Sequence, residues 1–127
     1  MLRSLLVVAA ALLAAPRASA QVPLDTLRAR AVRVEAHFFA GRTAALRAMA
    51  DSALATKITD AMHEAVLLQL VAAPDLAATA EWDVTTDEAG RLALVRPYRI
   101  AGQARAFVVV FDEAGRMVNL LMRVAER

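Results

Sequence analysis

Residues 103–124 read QARAFVVVFDEAGRMVNLLMRV, two apolar runs joined by the loop DEAG at 112–115. An Asp-x-x-Gly loop suits a type I turn that ends on a left-handed glycine, here Gly115, so the stretch predicts a β-hairpin. The first strand of this hairpin is apolar on both faces. One face carries Phe107, Val109 and Phe111, and the other carries Ala106, Val108 and Val110. Such a strand is typical of the centre of a sheet that is covered on both sides.

Strand-like patterning extends backward from the hairpin as far as Pro74. The predicted strands, including those of the hairpin, cover residues 76–85, 92–100, 103–111 and 116–124. Four strands joined by short loops predict an antiparallel meander. Pro97 lies inside the second of them, which favours an edge position or a bulge there.

Before Pro74 the apolar spacing is helical instead. The first helix carries a single apolar stripe made of Leu27, Ala31, Val34 and Phe38. Gly41 follows it as a C-cap. A second, short helix is predicted over 43–50, and a third begins at Asp51 or Ser52 and stops before Pro74.

Helices first and a meander last predict an α+β fold, with the helices packed on one concave face of the sheet. The helix stripes and one face of the third strand have no other apolar surface to bury against. The side chains expected to meet between the two layers are Phe38, Leu46, Met62, Trp82, Phe107, Val109 and Phe111.

The first twenty residues, MLRSLLVVAAALLAAPRASA, have the three regions of a secretory signal peptide: a basic start, an apolar run and a small-residue ending. We expect cleavage after Ala20, which leaves 21–127 as a single domain in the periplasm or outside the cell. The apolar run is well short of the roughly 20 residues that a membrane-spanning helix needs, so no membrane span is expected after cleavage.

Charge and cysteine content exclude several classes of protein. Arg3 and Arg17 leave with the signal peptide, so the mature chain would carry equal numbers of acidic and basic residues. Nucleic-acid binding is therefore not expected. The chain has no cysteine, which excludes disulfides, thiolate metal sites, cysteine nucleophiles and a lipoprotein anchor.

Neither a zinc-protease motif nor a serine-hydrolase motif is present. His63-Glu64 lacks the second histidine of HExxH. Ser52 is the one serine after the signal peptide, and it is not part of G-x-S-x-G. The only histidines, His37 and His63, are expected to be partly exposed structural residues, and no metal or cofactor is expected.

Two segments resemble known families. Residues 36–42, AHFFAGR, are similar to the end of the first helix in the cone-shaped, cystatin-like α+β folds named after nuclear transport factor two. Residues 97–102 and 107–120 resemble the last strands of the exported bacterial domain-of-unknown-function family 3887, which often precedes an α/β-hydrolase domain. Asn119 stands where that family usually has glycine. The resemblance implies the cone fold over about residues 27–124 and supplies no catalytic residues.

The resemblance also implies an apolar cavity between helices and sheet, and some cone folds use an Asp with a Tyr inside it for proton transfer. The polar and aromatic residues that could reach its mouth are His37, Trp82, Asp83, Arg96, Tyr98 and Arg99. A base beside a hydroxyl donor in an apolar cavity is what general acid/base catalysis needs. The alternative is that Asp83 is a solvent-facing neighbour of a core tryptophan.

The sequence leaves two function classes open. One is an exported, non-enzymatic module that binds a small apolar ligand or a protein partner. The other is a small-pocket acid/base enzyme of the isomerase or dehydratase type. A homodimer through the sheet or the alanine-rich helices is an equal alternative to a monomer.

Overall fold

The computed structural model describes residues 22–125, and within them four helices precede five strands. The helices are α1 (Leu24–Phe39), α2 (Thr43–Met49), α3 (Ser52–Lys57) and α4 (Asp60–Val71). The strands are β1 (Ala77–Ala78), β2 (Asp83–Thr86), β3 (Leu92–Ile100), β4 (Gln103–Phe111) and β5 (Met117–Val124). The predicted signal peptide, residues 1–20, lies outside the described residues.

The strands form one antiparallel sheet in the order β1-β3-β4-β5, and β2 also pairs with β3. The predicted α+β class, with helices before an antiparallel meander, is confirmed. β4 is an inner strand, as its two apolar faces predict. The open sheet is consistent with a cone-like arrangement.

The predicted first strand, over 76–85, is two separate strands, and Pro97 of β3 lies opposite the break. β1 and β2 pair with different parts of β3 and leave residues 79–82 between them. The Pro97 carbonyl accepts a hydrogen bond from Thr79 N at 2.9 Å. The Pro97 nitrogen faces the same side but has no proton to donate, so a continuous ladder cannot form there. Pro97 therefore lies in an inner strand, and the predicted edge position is wrong. An irregularity like the predicted bulge is present, because the four residues 79–82 lie opposite only Arg96 and Pro97.

The predicted third helix is also divided, into α3 and α4, with Ile58 and Thr59 extended between them. The Thr59 side chain accepts a hydrogen bond from Met62 N at 3.1 Å and so caps the N-terminus of α4. Asp51 caps α3 in the same way, through Leu54 N at 2.9 Å. Leu54 and Ile58 are spaced as in one continuous helix, and both side chains are buried. The apolar pattern of the sequence therefore gives no sign of the break between α3 and α4.

The main core lies between α1 and the face of the sheet that the helices cover, which is called the concave face after the predicted arrangement. The predicted stripe of α1 is confirmed, since its buried residues are Leu27, Ala31, Val34 and Phe38. The same cluster contains Leu46 of α2 and, from β4, Phe107, Val109 and Phe111. Trp82 packs against it while remaining partly exposed. Six of the seven predicted core residues therefore meet as expected.

Met62 is the predicted core residue that the structure places elsewhere. Its side chain is 42% exposed. The break at Thr59 restarts the helix, and α4 then turns His63 and Leu70 inward in place of Met62. Because the helix does not continue across residues 58–59, the apolar spacing read from Leu54 onward no longer predicts the inward face.

The opposite face of the sheet, called the convex face, carries a second, smaller apolar cluster. Its buried members are Ala93, Ala106, Val108 and Val110, and Val95, Val118 and Leu121 pack against them. No helix residue among those described belongs to this cluster. β4 is thus apolar on both faces as predicted, but α1 to α4 pack on the concave face alone.

The turn between β3 and β4 depends on a residue that is distant in sequence. Ala101 and Gly102 both have positive φ, +52° and +78°, as a two-residue type I′ turn requires. The Asp75 carboxylate accepts hydrogen bonds from both backbone nitrogens, at 2.6 and 2.7 Å. These hydrogen bonds, that from Gly102 foremost, hold the pKa of Asp75 below its usual value.

Gly90 and Gly115 end two similar Asp-x-x-Gly turns with nearly the same φ, +80° and +79°. Their surroundings differ. A Cβ at Gly90 would meet no other atom within 4 Å, whereas one at Gly115 would overlap Arg30 Nη1 and lie 2.8 Å from Val22 Cγ2. The Gly115 carbonyl also accepts a hydrogen bond from Arg30 Nη1 at 2.6 Å. This glycine therefore suits the left-handed conformation, and a side chain in its place would have to displace the end of the Arg30 side chain.

We expect Gly115→Ala to lower the free energy of unfolding more than its matched control, Gly90→Ala. Both changes place a side chain in the left-handed region, at a cost of about 1 kcal/mol. Gly115→Ala must also displace Arg30 and Val22, and losing the hydrogen bond from Arg30 adds roughly 1 kcal/mol. Urea denaturation of the two variants measures the difference. Equal destabilisation would contradict the close packing at Gly115.

Candidate functional site

An apolar cavity of about 330 Å³ lies between α3, α4 and the outer strand β5. Phe38, Leu46, Leu54, Ile58 and Phe107 form its buried wall. Met62, Val66, Leu120 and Met122 line its more exposed part. The polar residues in its lining are Lys57, His63 and Asn119. Its volume is within the range of small-molecule sites, roughly 300–1,000 Å³.

The cavity adjoins the break between α3 and α4. Lys57, which precedes the break, Ile58, which lies in it, and Met62, which follows it, all belong to the lining. A single straight helix was expected here. Dividing it lets Ile58 remain buried while Met62 moves to the exposed part of the cavity.

His63 is buried in the wall of the cavity, with only 2% of its surface exposed. Its Nε2 lies 2.8 Å from the Phe38 carbonyl, which can only accept, so Nε2 carries a proton and donates. Its Nδ1 lies 2.8 Å from the buried Thr43 hydroxyl, and its ring stacks on Phe38. Both ring nitrogens therefore have protein partners, which leaves His63 in a structural role. The prediction that His63 is partly exposed is wrong.

His37 lies apart from the cavity, on the outer side of α1. It is half-buried, and its Nδ1 is 3.1 Å from Arg42 Nη1 in an exposed pair. Within residues 22–125 there is no group of three or more His, Cys, Asp or Glu side chains that could hold a metal ion.

A second polar feature lies on the opposite side of Phe107 from the cavity. Glu35 of α1 accepts hydrogen bonds from Arg96 Nη1 at 2.5 Å and from the Tyr98 hydroxyl at 2.6 Å. Arg96 Nε also donates to the Ala80 carbonyl at 3.1 Å. The Glu35 side chain is only 13% exposed. This cluster ties α1 to β3 through a mostly buried ion pair and a charge-assisted hydrogen bond.

The environment of Tyr98 disfavours its ionised form. Burial raises the pKa of the phenol above its ordinary value, and the hydrogen bond to Glu35 and the negative charge of that carboxylate raise it further. Tyr98 therefore remains a hydrogen-bond donor, and its hydroxyl is already bound to Glu35.

Glu35 is a residue of this cluster that the sequence analysis missed. It does not belong to the predicted apolar stripe of α1. It nevertheless follows Leu27 and Ala31 at a spacing of four, which places it at the border of the buried stripe. That spacing was the feature of the sequence that could have shown Glu35 to face the sheet. The sequence could not supply the partner, because Tyr98 lies 63 positions away along the chain.

Trp82 and Tyr98 come together around Phe107. The ring centroids of Trp82 and Phe107 are 5.9 Å apart, and those of Tyr98 and Phe107 are 6.1 Å apart. The Trp82 carbonyl accepts a hydrogen bond from Arg28 Nη1 at 3.3 Å. Its Nε1 is buried and has no hydrogen-bond partner among the described residues.

Asp83 and Arg99 lie away from both features, because strand alternation turns them to the convex face. Asp83 pairs with Val95, and Arg99 is next to Tyr98 in β3. Both are exposed. Asp83 Oδ1 lies 3.2 Å from the backbone nitrogen of the next residue, Val84. The structure thus brings Trp82, Arg96 and Tyr98 together and does not bring Asp83, Arg99 or His37 to them.

Comparisons with family models, with curated proteins and with solved structures found no match to this chain. The geometry of the cavity and of the Glu35 cluster is therefore the basis for a functional assignment. Within residues 22–125, no helix is long and apolar enough to cross a membrane.

The raised pKa of Tyr98 predicts a loss of stability at alkaline pH. In the unfolded chain the phenol ionises near pH 10, whereas in the folded protein it keeps its proton to higher pH. The stabilisation is therefore fully present below about pH 10 and is lost as the pH rises further. We expect the melting temperature of the parent to fall more steeply between pH 9 and 11 than that of Tyr98→Phe. Tyr98 is the only tyrosine, so ultraviolet absorbance reports this phenol alone. If the melting temperatures of the parent and of Tyr98→Phe fell in parallel as the pH rose, the raised pKa of Tyr98 would be contradicted.

Proposed function

We propose that this protein is an exported, non-enzymatic module that binds a small apolar ligand in the cavity between α3, α4 and β5. The observation that carries the proposal is the cavity itself, with a buried apolar wall and few polar groups. Pockets of this kind are the usual places where proteins bind small molecules. Burial of apolar ligand surface supplies roughly 25 cal/mol per Å² of the binding free energy.

The enzyme alternative has less support, because the cavity lacks a base beside a hydroxyl donor. Tyr98 does not belong to the lining, and its hydroxyl donates to Glu35. Asp83, the carboxylate considered with it, is on the convex face. His63 does line the cavity, but both its nitrogens have protein partners.

Decanol is a suitable uncharged probe of the cavity. We expect saturable one-to-one binding of decanol, measured by titration calorimetry. Val66→Phe should weaken it, because Val66 is in the lining and a larger side chain occupies the ligand's space. Val32→Phe makes the same change at an exposed position of α1 outside the lining, and it should leave binding unchanged. Absence of binding to the parent, or equal effects of the two variants, would contradict the proposal.

Export is part of the proposal and rests on the signal-peptide pattern of residues 1–20 and on the resemblance to the exported family 3887. Mass spectrometry of the protein from the periplasm or the medium should find Gln21 as its first residue. An intact Met1 on protein recovered from the cytoplasm would contradict export.

We also propose that two copies pair through the convex face of the sheet. Two observations favour the sheet over the helices as the contact surface. No helix within residues 22–125 packs against the apolar cluster there. Exposed Asp83 and Arg123 lie on the opposite outer strands of that face. A two-fold axis parallel to the strands places β2 of one copy over β5 of the other, so Asp83 approaches Arg123.

Sedimentation equilibrium should give the mass of a dimer, with Val95→Arg reducing it to that of a monomer. A monomeric parent would contradict pairing.

A further inference from the structure

We infer that the ligand of this cavity is an anionic amphiphile, with an apolar body inside and a carboxylate or similar anion held by Lys57 at the opening. The inference rests on the proposed binding function and adds the chemical class of the ligand. It is carried by the charge of the lining, the position of Lys57 and the volume available to the apolar part.

The charged groups of the lining are of one sign. Lys57 is there, and no carboxylate is. Asn119 is exposed, and its side-chain oxygen lies 2.9 Å from the backbone nitrogen of Leu120. His63 has both nitrogens engaged by Phe38 and Thr43. The lining group whose charge suits an anion is therefore the Lys57 ammonium.

Lys57 is placed where the apolar wall meets solvent. It is the last residue of α3 and is exposed, while the next residue, Ile58, is 4% exposed in the wall. None of the ion pairs formed within residues 22–125 involves Lys57. An incoming anion would therefore displace no acidic partner. The lysine stem can follow the apolar wall while its ammonium stays in water.

The volume limits the apolar part of the ligand. A cavity of about 330 Å³ holds roughly ten non-hydrogen atoms, at the ~30 Å³ that a water-sized group occupies. A ligand with this much apolar surface and one anionic end would fill the wall formed by Phe38, Leu46, Leu54 and Phe107 while its charge remains at the opening. A cationic amphiphile would place its charge against Lys57, and an uncharged one would leave the ammonium unused.

Three probes of matched chain length test the inference: decanoate, decanol and decyltrimethylammonium. Titration calorimetry measures the binding of each probe. We expect decanoate to bind about 1.5- to fivefold more tightly than decanol, the range for a solvent-exposed ion pair. The cationic probe should bind most weakly, and added salt should weaken decanoate alone.

Variants of Lys57 separate charge from packing. Lys57→Met keeps the apolar stem and should reduce decanoate binding to the level of decanol while leaving decanol unchanged. Lys57→Arg should retain the preference for decanoate. Arg47→Met removes an exposed cation outside the lining and should change neither.

The outcomes distinguish this inference from the proposed function. If decanol and decanoate bind equally to the parent, or if Lys57→Met weakens both alike, the anionic class is overturned while apolar binding stands. If none of the three probes binds, the proposed function itself fails, and the inference fails with it.

Discussion

The packing of the Phe107 side chain is the interaction on which both the core and the candidate site depend. It lies at the centre of β4 and is 1% exposed. Its ring is within 5.3 to 6.1 Å, centroid to centroid, of four other aromatic rings: Phe38, Phe39, Trp82 and Tyr98. The same ring forms part of the cavity wall. It therefore holds α1 against the sheet and separates the apolar cavity from the polar cluster around Glu35.

This division explains why the two features have different roles. On one side, Glu35, Arg96 and Tyr98 satisfy each other within hydrogen-bond distance. Buried charges are tolerated when they are paired in this way, and breaking one partner is costly. On the other side, the wall is apolar and its histidine is held by protein groups. The hydrogen bonds and ion pair of Glu35 thus join α1 to β3, while the lining of the cavity consists mainly of apolar side chains and includes one cation, Lys57.

The cavity also depends on the division of the predicted third helix. Thr59 caps a new helix at the point where a continuous one was expected. The local capping bond outweighs the helical periodicity of the apolar residues on either side, because it satisfies a backbone group that would otherwise lack a partner at the new helix end. The resulting change of direction exposes Met62 and buries His63.

The sequence by itself determined the order of the elements, the buried stripe of α1, the inner position of β4 and the left-handed turn at Gly115. These follow from local spacing, since side chains repeat every two residues in a strand and about every 3.6 in a helix. Tertiary structure alone decided that Glu35 meets Tyr98, that Pro97 lies opposite the gap between β1 and β2, and that Lys57 stands at an apolar cavity. Each of these depends on residues that are distant along the chain, and periodicity shows which way a side chain faces but not which partner it meets.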